Sequence, residues 1–137
     1  MRERRQARVG TVSGLALLAG GTGVAAVAGG AHSIFATILL GLLALAMCHA
    51  LLDEIKRQAT RMSPRWARPD TINTVLLGCW AEAALIMSIV PACPVPLRLV
   101  GAGLTIGYAV ACVSFVTLRR RSVALATRSA GVEASQV

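Results

Sequence analysis

Glu82 is the residue whose chemistry most needs an account. It stands within the apolar run 72–90, where every other position is uncharged. An ionised acid in the middle of a bilayer is costly and marks a functional position by default. Two kinds of chemistry fit a lone carboxyl there. It is a candidate proton- or cation-coupling acid in a transporter, or a protonated acid that donates a structural hydrogen bond. The next apolar run, 99–118, brings Tyr108 to nearly the same depth, so a Glu82–Tyr108 hydrogen bond is expected, with Thr105 as the substitute partner.

A second set of residues is defined by depth. Cys48, Cys79 and Cys112 all fall roughly 6 to 11 Å from one end of their apolar runs at about 1.5 Å per residue, with His49 beside the first. Thiolate and imidazole at one level suit a thiophilic ion such as Cu(I), and Cys93 and His32 would stand at the opposite end. The bland reading is the stronger, because no CxxC pair exists and a cysteine in an apolar helix is most often a small hydrophobe. No metal or cofactor is therefore expected. With two histidines and six acids, and no HExxH, phosphate-binding Gly-Lys-Ser/Thr loop or paired acid motif, the chain is not expected to be an enzyme either.

The elements that hold these residues follow from composition. The chain has 137 residues, 55% of them hydrophobic, and a mean hydropathy of +0.67, above the roughly 45–50% apolar share of a soluble domain. Four apolar runs, 9–30, 34–52, 72–90 and 99–118, predict an all-α integral membrane protein. The four transmembrane helices are expected to form two hairpins in one membrane domain, 1–118. About 22 residues rise roughly 33 Å, enough for a hydrocarbon core of about 30 Å. The first run also admits a signal-peptide reading, with Ala26-Val27-Ala28 as a cleavage site, although it is long for that role. Residues 53–70 form a polar hinge whose helical start ends at Ser63-Pro64. Asp70 or Thr71 caps the third helix, the PACPVP segment is an extended turn, and 119–137 is expected to be a disordered tail.

Charge sets the orientation. Of 14 basic residues, 13 lie in the N-terminal segment, the hinge and the tail, leaving Arg98 in an opposite loop. By the positive-inside rule both termini and the hinge are cytoplasmic. This accounts for the arginines without a nucleic-acid partner, despite the net charge of +8. Arg57, Arg61, Arg65, Trp66, Arg119, Arg120 and Arg121 are expected to touch anionic headgroups, at about 1 kcal/mol per basic residue. Gly10, Gly14 and Gly23 on the first helix, and Gly103 and Gly107 on the fourth, are the expected sites of close helix packing.

In its four short helices and one intramembrane glutamate the chain resembles the small multidrug resistance transporters. Their acid sits in the first helix, whereas Glu82 is in the third, so the resemblance covers architecture and no residue role is carried across. Mercury-transport membrane proteins are similar in the same limited way, since their paired cysteines are absent. The expectation is a multi-pass protein of the bacterial cell membrane, a homo- or hetero-oligomer serving as an accessory or scaffold subunit of an assembly for plasmid transfer and spread or for secretion. The alternative is a minimal small-molecule or metal transporter that uses Glu82.

Overall fold

The structure is a computed structural model that describes residues 2–29, 33–61, 63 and 65–135, with side-chain surroundings for those from Thr11 to Ala28 and from Ser33 onward. Its regular elements are all helices: α1 (Arg2–Gly29), α2 (Ile34–Ala59), α3 (Arg68–Ile89) and α4 (Val95–Ser135). Each contains a stretch long and apolar enough to cross a membrane. By length and composition this is a multi-pass membrane protein.

The helices run further than the apolar segments that betray them. α1 takes in the charged start, because Arg, Glu, Gln and Ala are good helix formers. α3 begins at Arg68 rather than at 72, and α4 at Val95 rather than at 99. Pro69 and Pro96 fall in the first turn of each, where a missing N–H costs nothing. α2 continues to Ala59 before Thr60 closes it with an N–H to the Lys56 carbonyl. The expected disordered tail is helical as far as Ser135, since residues 119–135 contain no proline and one glycine, Gly131.

α1 packs on all three other helices, while α2 and α3 make no close backbone approach among the described residues. The most extensive packing joins α1 to α2 and α3 to α4. Inward faces show helical spacing: Val12, Ala16 and Ala19 on α1, Leu77 and Ala84 on α3, and Gly101, Tyr108, Ala111, Phe115 and Arg119 on α4. All the buried residues of α2 lie between Leu51 and Ala59. The rest of α2 exposes Phe35, Leu39 and Leu45, as a lipid-facing helix should.

Among the described glycines, two set the closest approaches, and neither is among those expected to pack helices. A Cβ on Gly101 would lie 2.9 Å from the Ala84 carbonyl oxygen and 3.0 Å from the Ser88 nitrogen, so α3 and α4 touch there through backbone. A Cβ on Gly20 would overlap the Tyr108 hydroxyl. By contrast, a Cβ on Gly14, Gly23, Gly103 or Gly107 would meet nothing within 4 Å; these four do not pack the bundle. The surroundings of Gly10 lie outside the described residues.

Candidate functional site

Between α4 and α1 the bundle interior is closed by Tyr108. Its ring comes from the inward stripe of α4, and its hydroxyl donates to the Ala16 carbonyl of α1, beside Gly20. Glycine at position 20 leaves the room that this hydroxyl fills. Trp80 of α3 adds a second link to α1, its indole N–H donating to Ser13 Oγ at 3.1 Å. The expected Glu82–Tyr108 hydrogen bond is therefore absent. Glu82 lies on the opposite side of α3, exposed, with no hydrogen bond or ion pair among the described residues. Thr105 donates to the Gly101 carbonyl of its own helix at 2.8 Å. Residue counting along two helices does not fix rotation: Glu82 is two positions before Ala84, about 200° around the helix from that buried residue.

The hinge end carries the denser constellation. Arg119 is 1% exposed and Asp70 4%, and Arg119 Nε donates to Asp70 Oδ2 at 2.9 Å. The remaining arms of the guanidinium donate to the carbonyls of Arg61 at 2.7 Å and Arg65 at 3.2 Å. Asp70 Oδ2 also accepts the Ala67 N–H at 3.0 Å, closing the first turn of α3. Asp70 thus caps the helix from its third position, not from its start. One guanidinium in this way ties α4 to α3 and to the connection between α2 and α3, using the fork of donors that lysine lacks.

Beside the pair runs a side-chain relay between α2 and α3. Asn73 Nδ2 donates to Gln58 Oε1 at 2.9 Å, and Gln58 Nε2 donates to Glu54 Oε1 at 2.6 Å. Glu54 Oε2 in turn accepts from Arg57 Nε at 3.0 Å. Asn73 Oδ1 is buried with no hydrogen-bond partner. The relay lies where α2 and α3 do not touch through backbone, so long polar side chains span the gap. The arrangement positions helices.

Of the residues expected at the headgroups, Arg57, Arg65, Trp66, Arg120 and Arg121 are exposed and Arg61 is half-buried. Arg119 is the correction. Its place in an Arg-Arg-Arg run suggests a solvated face, yet it continues the inward stripe from Ala111 and Phe115. Trp66 Nε1 donates to Thr71 Oγ1 at 2.8 Å. At the far end of the bundle, Arg98 Nε donates to the Ser88 carbonyl at 2.9 Å, joining the start of α4 to the end of α3.

The thiols do not converge. Cys48 and Cys79 are exposed, and Cys112 donates to the Thr74 carbonyl at 3.7 Å. His49 Nδ1 lies 3.2 Å from Asp53 Oδ2 on the outside of α2. No group of three His, Cys, Asp or Glu able to hold a metal occurs among the described residues; Cys93 lies in the turn before α4, and His32 lies outside the described residues. No protein-family model matches the chain, and neither a curated protein nor a solved structure is detectably similar to it.

Proposed function

We propose that this chain is a scaffold or accessory subunit of a bacterial cell-membrane assembly, folded as two antiparallel hairpins with both termini and the hinge in the cytoplasm. The extensive packing of α1 on α2 and of α3 on α4 supports the hairpins, and the arginine distribution supports the orientation. The observation that carries the functional reading is how the ionisable groups are used. Arg119 and Asp70 hold the fold, while Glu82, the acid within the apolar part of α3, faces away from the bundle interior.

Gly103 and Gly107 support the same reading from the other side. They line a groove of about 180 Å³ with Cys48, Leu51 and Leu52 of α2, where small residues let a neighbouring helix come close. Transport by a single copy has no such support, because the acid it would use is outside the bundle. Plasmid spread and secretion assemblies remain the settings proposed from the sequence. Purification of the tagged chain from its native membranes in mild detergent tests the reading. A membrane protein in stoichiometric amount is expected, lost on Gly103→Leu with the chain still folded. Recovery of the chain alone, together with Glu82-dependent flux in proteoliposomes, would overturn it.

A further inference from the structure

We infer that the outer face of α3 is a self-association seam, on which a second copy of this chain docks in parallel with the two Glu82 carboxyls facing each other. Glu82 has no partner in its own chain among the described residues. It lies seven residues before Ile89, about 10 Å inside the apolar layer, where no water reaches a carboxyl and lipid tails offer no donor or acceptor. Something else in the membrane must supply one.

The spacing around Glu82 identifies what. Ile72, Val75, Cys79, Glu82, Ile86 and Ile89 succeed one another at intervals of three, four, three, four and three, and all six are exposed. This spacing is compatible with the a and d positions of a coiled-coil seam, carried through about five turns with one polar member. A purely lipid-facing surface has no use for that glutamate.

A second copy satisfies the carboxyl in a way that a merely apolar helix cannot. Copies inserted with the same orientation carry Glu82 at the same depth, and a two-fold axis along the membrane normal sets each residue of the seam against its own counterpart. A carboxylic acid both donates and accepts, so two of them are self-complementary once at least one is protonated. Close approach is open beside it, since a Cβ on Gly78 would meet nothing within 4 Å. A single polar residue in an apolar seam also fixes the register of the pair.

The inference is independent of the hetero-partner reading, which co-purification tests. Its own test uses two full-length chains, one retaining only Cys79 and one only Cys48, both exposed thiols on different helices, oxidised in native membranes with copper phenanthroline. Cys79 should give a disulfide-linked dimer and Cys48 should not. In the Cys79 chain, Glu82→Leu should lower the dimer yield by roughly threefold to tenfold, the fold-change worth of one interhelical hydrogen bond. Glu82→Gln, which keeps a donor and an acceptor, should retain most of it at equal expression. No Cys79 dimer, equal crosslinking through Cys48, or a Glu82→Leu yield unchanged from the parent would overturn the seam.

Discussion

Arg119 and Glu82 belong to neighbouring helices, and each lies next to apolar surface, yet the molecule treats them in opposite ways. Arg119 is turned inward at the hinge, where a carboxylate and two carbonyls receive its donors. Glu82 is turned outward at mid-span and receives nothing from its own chain. The first arrangement ties α4 to α3 and to the connection between α2 and α3, and the second leaves one face unfinished. Burying an ion pair need not add net stability over apolar packing, but removing one member leaves an uncompensated charge. Fold stability should therefore depend on the hinge pair, and association on Glu82.

The largest test of that contrast is Arg119→Ala. It strands Asp70 and two carbonyls, and should cost about 3–5 kcal/mol in a reversible detergent-denaturation titration, with faster tryptic cleavage in the hinge. A cost below about 1 kcal/mol, the scale of an exposed pair, would break the comparison. Next in size are the close approaches. Gly20→Ala should destabilise by about 1–3 kcal/mol through overlap with the Tyr108 hydroxyl, and Tyr108→Phe in the same chain should suppress most of that loss. Gly103→Ala, with open space around it, should be neutral or slightly stabilising, because alanine is the better helix former. Tyr108→Phe alone forfeits one buried hydrogen bond to Ala16, about 0.5–1.5 kcal/mol. Smallest of all, Arg120→Ala and Arg121→Ala should each stay within about 0.5 kcal/mol, which separates the arginine that is latched from the two beside it.

How much of this was legible in the sequence differs between the same two regions. Four helices and the polar hinge follow from apolar run length and from the grouping of arginines. The expectation that Glu82 and Tyr108 share a depth comes from counting residues, whereas the approach of Gly101 to Ala84 and Ser88 shows the register of α3 on α4 that such counting does not give. Rotation is not given either, because each membrane helix is apolar nearly all round, so the periodicity that would point Glu82 inward or outward is faint. The small-residue pattern misled for the same reason: Gly14 and Gly103 satisfy the spacing, but the contacts fall at Gly20 and Gly101. Arg119 was hidden by its neighbours in a basic run, although the sequence Tyr108, Ala111, Phe115, Arg119 at intervals of three, four and four marks it as inward. Asp70 was read as a helix cap and is one; its long-range partner, 49 residues away, leaves no local signal.

The most direct measurement is the denaturation of the detergent-solubilised monomer carrying either Asp70→Asn or Glu82→Gln, followed side by side under one set of conditions. Asp70→Asn should lose about 3–5 kcal/mol by leaving Arg119 buried without its counter-charge, while Glu82→Gln should move by less than about 0.5 kcal/mol, as an exposed position does. Equal losses in the two variants, or a loss confined to Glu82→Gln, would contradict the division of the molecule into a latched hinge and an outward-facing acid.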